Sequence, residues 1–102
     1  MEKSIKILRD ISNECHSYTA YYKFNRSIKA SEKYRDGRID ASNWINELIC
    51  YFIEKEKSFI NEFKLHIKEQ KNKISILNNC DYKTGQYDQL CVIERKIDDR
   101  IN

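Results

Sequence analysis

The chain has 102 residues, of which 40% are hydrophobic, and it contains two glycines and no proline. This length predicts one domain, 1–102, and the composition favours helices over sheets. The net charge of +3 is too small to indicate nucleic-acid binding by itself, and no apolar run is long enough to span a bilayer. We therefore expect a cytoplasmic protein that has no membrane partner.

The first predicted helix covers residues 2–34. Its apolar side chains recur at intervals of three and four residues, at Ile5, Leu8, Ile11, Cys15, Tyr18 and Tyr22. Polar residues and three tyrosines lower the helical propensity between Ser17 and Asn25, so this helix is either continuous or broken there. A turn containing Gly37 is predicted to follow at residues 35–39.

The second predicted helix, residues 41–77, is the longest element. Asp40 is a suitable N-cap, and the sequence between Asp40 and Asn78 contains no glycine or proline. An unbroken helix of this length would measure about 55 Å. A compact domain of this size has an expected radius of gyration of only ~13 Å, so we expect an elongated molecule, a kink or a partner chain.

The third predicted helix, residues 86–100, follows a turn at residues 80–84. Short connections make successive helices antiparallel neighbours. The predicted fold is therefore an all-α, elongated antiparallel helical hairpin with a shorter third helix, a three-helix bundle that dimerisation could enlarge. The third helix is too short to cover the whole hairpin, and it is expected to leave the end near Gly37 open.

Aromatic and aliphatic residues are concentrated at that open end. Monomers rarely leave large apolar patches in water, so either the first helix breaks and folds over this end, or a second copy covers it in a homodimer. The predicted partner interface consists of Tyr18, Tyr21, Tyr22, Phe24, Trp44, Leu48, Tyr51 and Phe52.

Basic residues lie in the same half of the sequence. They are Lys23, Arg26, Lys29, Lys33, Arg35 and Arg38. Such a set is often only a solvated face. It also fits an anionic partner, because basic side chains can contact nucleic-acid phosphates while neighbouring tyrosines stack on unpaired bases.

Residues suited to metal binding or catalysis lack the spacing that these chemistries need. Cys15, His16, His66 and Cys91 contain no close ligand pair of the kind that zinc sites use, and the cysteines are expected to be free thiols. Glu56 is expected to pair with a basic residue rather than to act as an acid. We therefore expect no enzyme activity, metal, cofactor or small-molecule substrate.

These observations predict a small helical protein–protein interaction module, namely a self-associating adaptor, chaperone or regulator. The alternative is a nucleic-acid-binding regulator that uses the basic and aromatic surface of residues 21–38.

Overall fold

Four α-helices form the part of the chain that the computed structural model describes, residues 2–25, 29–55 and 60–101. They are α1 (Glu2–Phe24), α2 (Glu32–Glu54), α3 (Ile60–Ser75) and α4 (Asp81–Ile101). No strand occurs in these ranges, so the all-α class is confirmed. The three-helix count is wrong. The single predicted turn at 35–39 is replaced by two interruptions, one after Phe24 and one after Glu54, and α4 begins at Asp81 rather than at residue 86. None of the four helices is long and apolar enough to cross a membrane.

The first predicted helix is interrupted, but residues 17–24, where its propensity is weakest, remain helical. α1 ends at Phe24, and α2 begins after Ser31, whose hydroxyl accepts the backbone N–H of Tyr34 at 3.1 Å. This N-cap starts α2 well before Asp40, so the predicted turn at 35–39 is wrong and those residues lie inside a helix.

Gly37 lies where α2 crosses α4 and not in a turn. A Cβ atom placed on Gly37 would lie 2.2 Å from the backbone oxygen of Tyr82 in α4. A Cβ atom on Gly85 would likewise lie 2.1 Å from the backbone oxygen of Tyr34 in α2. The two glycines of the chain therefore allow the backbones of α2 and α4 to touch, which offsets the cost of glycine in a helix interior.

The second predicted helix is also interrupted. α2 ends at Glu54, with Lys55 as its C-cap, and α3 begins at Ile60. The break lets α3 fold back so that Phe63, Ile67 and Ile74 are buried. The longest dimension is 40 Å and the radius of gyration is 13.6 Å, so the expected elongated rod is wrong.

The core confirms the apolar faces that the sequence spacing predicts. Its largest members are at most 1% exposed and come from every helix: Leu8, Ile11, Cys15, Ile45, Ile49, Phe52, Phe63, Ile67, Leu90, Ile93 and Ile97. Burial is the main cause that raises the pKa of the Cys15 thiol to about 12, which keeps it neutral. All four cysteines are free, and Cys50 and Cys80 are exposed.

Candidate functional site

The candidate site lies where the end of α1 meets the start of α2, a region that we call the α1–α2 end (residues 18–25 and 29–39). At its centre Arg38 is buried, with 7% of its surface exposed. The guanidinium carbon of Arg38 lies 5.7, 4.7 and 5.9 Å from the ring centres of Tyr18, Tyr22 and Tyr34. Three aromatic rings from α1 and α2 thus surround one charge and stabilise it by cation–π interaction.

Hydrogen bonds connect this aromatic cage to α4. Arg38 Nε donates to Gln89 Oε1 at 2.7 Å, and Arg38 Nη1 donates to the Tyr34 hydroxyl at 3.0 Å. The Tyr34 hydroxyl donates in turn to Asp88 Oδ2 at 2.8 Å. The charge of Arg38 is therefore linked to a carboxylate through a tyrosine, and its side chain is committed to holding three helices together.

The surroundings of Arg38 also perturb the neighbouring phenols. Burial is the largest cause that raises the pKa of Tyr22 and of Tyr34 above the usual tyrosine value. The hydrogen bond from Tyr34 to Asp88 raises the pKa of Tyr34 further, whereas Arg38 opposes both shifts. Both tyrosines are therefore neutral at physiological pH, and Tyr34 uses its one hydroxyl proton to donate to Asp88.

A second phenol ties α4 to α2 further along the crossing. The Tyr82 hydroxyl donates a hydrogen bond to Asp40, and this bond is the main cause that raises the pKa of Tyr82 to about 12. Asp40, predicted to cap a helix, lies inside α2, and its carboxylate accepts this bond from α4.

The predicted partner interface is largely covered by the chain itself, because the first helix breaks and α2 packs beside α1. Phe52 is fully buried, and its ring lies 5.4 Å from Phe63 and 5.7 Å from His66, so it belongs to the core. Tyr18, Trp44 and Leu48 are half-buried against that core. Tyr22 is half-buried beside Arg38.

Three residues of that predicted interface stay on the surface. Phe24 is 72% exposed, Tyr21 is 49% exposed, and Tyr51 is 47% exposed. Tyr21 and Phe24 occupy the last turn of α1, whereas Tyr51 lies in the last turn of α2. Only Tyr21 and Phe24 therefore remain as exposed aromatic residues of the α1–α2 end.

The predicted basic residues are also partly exposed and partly buried. Lys23, Lys29 and Lys33 are exposed, and Arg35 is half-buried. Arg38 is buried and cannot reach a ligand at the surface. Arg26 lies outside the described residues, as does Glu56. Of the accessible basic residues, Lys23 places its ammonium 5.5 Å from the ring centre of Phe24, and Lys29 lines a cleft together with Tyr21.

Two clefts of the α1–α2 end share Tyr22 as a wall. One has a volume of about 390 Å³ and is lined by Tyr22, Lys23, Glu32, Arg35, Asp36 and Ile39. We call it the Arg35 cleft. The other, of about 480 Å³, lies towards Lys29, Ser31 and Tyr34. Both volumes fall in the range of ligand sites, but the mixed charges of the Arg35 cleft suit a polar segment better than an apolar molecule.

Sequence reasoning missed the two α4 residues that complete the site, Asp88 and Gln89. Neither belongs to a recognisable motif, and their roles depend on the glycine crossing that brings α4 against α2. The only available signal was the pair of glycines themselves, since interior helical glycines often mark close contact between backbones.

No group of three or more histidine, cysteine or acidic residues in the described ranges is arranged to hold a metal ion. Comparison with known protein families, with curated proteins and with solved structures finds no match to this chain. The function must therefore be inferred from the chemistry of the α1–α2 end.

Proposed function

We propose that this chain is a small helical protein–protein interaction module, an adaptor, chaperone or regulator, that binds its partner at the α1–α2 end. The exposure of Phe24 and Tyr21, at 72% and 49%, supports this proposal. Large aromatic residues contribute most of the binding energy of many interfaces, particularly where a rigid scaffold presents them. The contact of the neighbouring Tyr22 with Arg38 supplies such a scaffold.

The charge of the surface favours a different protein over a second copy. Among the exposed charged residues of the α1–α2 end, three are basic, Lys23, Lys29 and Lys33, and two are acidic, Glu32 and Asp36. The Lys23 ammonium lies over the Phe24 ring, so a twofold dimer centred on Phe24 would bring Lys23 of both copies together, and like charges disfavour such an interface. Homodimerisation therefore becomes one outcome of the experiment rather than the leading proposal.

Nucleic-acid binding is the second candidate, and the interleaving of lysines and aromatic rings favours it. Tyr21 and Phe24 offer faces on which unpaired bases can stack, while Lys23, Lys29 and Lys33 can contact phosphates. The acidic residues Glu32 and Asp36 lie on either side of Lys33 in the sequence and line the Arg35 cleft, which makes a continuous run of phosphates less favourable there.

Site-specific photo-crosslinking in cells of the native source tests the proposal. A photo-reactive phenylalanine analogue replaces Phe24, and the matched control carries the same analogue in place of Lys68, an exposed residue on α3. We expect a defined protein adduct from position 24 only, and we expect the purified partner to bind the full chain. An adduct of the chain with itself would establish the homodimer instead.

Two other results would count against protein binding. An adduct that nuclease removes would establish the nucleic-acid candidate. No adduct above the level of the Lys68 control would overturn the α1–α2 end as a binding surface. Sedimentation equilibrium of the wild type and of Phe24→Ser separates self-association from binding to a different protein.

A further inference from the structure

The Arg35 cleft is lined by a guanidinium that has one unsatisfied donor atom. Arg35 is half-buried, and its Nε atom is buried without a hydrogen-bond partner among the described residues. A buried donor that lacks an acceptor is unfavourable, and it is satisfied when an acceptor arrives. Because the guanidinium is planar and has several N–H groups, the matching acceptor is a carboxylate or a phosphate.

Lys23 adds a second cation to the same cleft from the opposite helix. It lines the cleft from α1, whereas Arg35 lines it from α2. No ion pair between Lys23 and a described acidic residue is recorded, and its ammonium lies over the ring of Phe24 instead. An acidic group bound in the cleft would therefore lie beside an exposed aromatic surface.

Two acidic residues, Glu32 and Asp36, also line the cleft, and they limit what can bind there. Glu32 lies in the first turn of α2, where the helix dipole stabilises a negative charge. Both carboxylates would repel a polyanion that fills the cleft. A single carboxylate can instead approach the guanidinium while its chain continues over Tyr21 and Phe24.

From this arrangement we infer that the partner presents an acidic amphipathic segment, which places a carboxylate between Lys23 and Arg35 and apolar side chains on Tyr21 and Phe24. This inference rests on the proposed function and adds the chemical class of the partner. An amphipathic helix binds by laying its apolar face on an apolar surface, and acidic side chains at the border of that face would reach the cleft. Lys29 lines the neighbouring cleft together with Tyr21, so it offers a further cation beside that ring.

Fluorescence anisotropy with the full chain tests the inference. The probe is a labelled amphipathic peptide with leucine on one helical face and glutamate along the borders of that face. Two comparison probes are the same peptide with glutamine in place of glutamate and a labelled single-stranded oligothymidine. We expect the glutamate peptide to bind best and its affinity to fall as salt increases.

Charge-removing variants locate the binding site. Arg35→Gln and Lys23→Gln should each weaken the binding of the glutamate peptide roughly twofold to fivefold, as expected for the loss of one partly exposed ion pair. Lys68→Gln removes the same charge from an exposed position on α3 and should leave the affinity unchanged. Circular dichroism verifies that each variant remains folded.

Several results would overturn the inference. These are equal binding of the glutamine peptide, a preference for the oligothymidine, or Arg35→Gln behaving like Lys68→Gln. A partner crosslinked through position 24 whose binding ignores the charges of Lys23 and Arg35 would reject the acidic segment but retain the proposed function. If neither crosslinking nor peptide binding were observed, both proposals would fail.

Discussion

α4 contacts α2 and α3 in two different ways. At the α2–α4 crossing the backbones meet at Gly37 and Gly85, and no side chain separates them. Between α3 and α4 the contact is made by side chains. Phe63 and Ile67 of α3 are buried, and two ion pairs, Lys64 with Asp98 and Lys71 with Glu94, lie outside them.

The difference determines how precisely each helix is placed. Side chains can change rotamer to adapt to a small displacement, whereas backbone atoms in direct contact permit a single arrangement. The hydrogen bonds from Arg38 and Tyr34 to α4 join the same two helices and form only when α2 and α4 keep this relative position. The α2–α4 crossing therefore positions the α1–α2 end, while α3 chiefly completes the core.

The largest effect is expected at the glycines. Gly37→Ala or Gly85→Ala should lower the free energy of unfolding by about 3 kcal/mol or more, because the added Cβ meets backbone atoms that cannot move aside. The gain of helix propensity from alanine is only about 1 kcal/mol. Urea denaturation monitored by circular dichroism measures the change.

Asn43→Ala is the matched control for the glycine variants, since Asn43 is an exposed residue of the same helix. It should change the free energy of unfolding by less than about 0.5 kcal/mol. If Gly37→Ala were as stable as this control, the direct backbone contact between α2 and α4 would be refuted.

An intermediate effect is expected at Arg38. Arg38→Met should lower the free energy of unfolding by about 2 kcal/mol, because the buried Gln89 Oε1 loses its donor and the cage loses its charge. Amide hydrogen exchange should also accelerate in the last turn of α1. The double variant Arg38→Met with Gln89→Leu should recover part of the loss, because it removes the orphaned amide. Strictly additive losses would contradict the coupling.

The smallest effect is expected between α3 and α4. Lys71→Met removes the ion pair of Lys71 with Glu94, whose N–O distance is 2.9 Å, and should cost less than about 1 kcal/mol. The hydrogen bond to Glu94 is the main cause that raises the pKa of Lys71 above its usual value of 10.5. The pair therefore stabilises the folded state at neutral pH, and this stabilisation is lost as the pH rises through the raised pKa.

Urea denaturation at low and high salt, with Lys68→Met as the control, measures the contribution of the Lys71 pair. The difference between the two variants should shrink at high salt, because salt screens charges near the surface. If Lys71→Met lowered the free energy of unfolding as much as Gly37→Ala, the α3–α4 contact would tolerate substitution no better than the α2–α4 crossing.

Part of the candidate site could be predicted from the sequence. Lys23, Lys29 and Lys33 belong to the predicted basic set, and all three are exposed at the α1–α2 end. Arg38 belonged to the same pattern yet is buried. Its environment comes from tyrosines on two helices and from Gln89 on a third, and no local pattern contains that information.

The sequence by itself determined the helical class and the buried face of each helix. This was possible because the helical period is a local property: Ile45, Ile49 and Phe52 share one face wherever the helix ends. Only the tertiary structure decided where the chain turns. A straight helix through residues 41–77 satisfies local propensity, but folding α3 back onto α4 buries Phe63 and Ile67. The role of Gly37 could not be predicted for the same reason, because its contact with α4 exists only after distant parts of the chain have met.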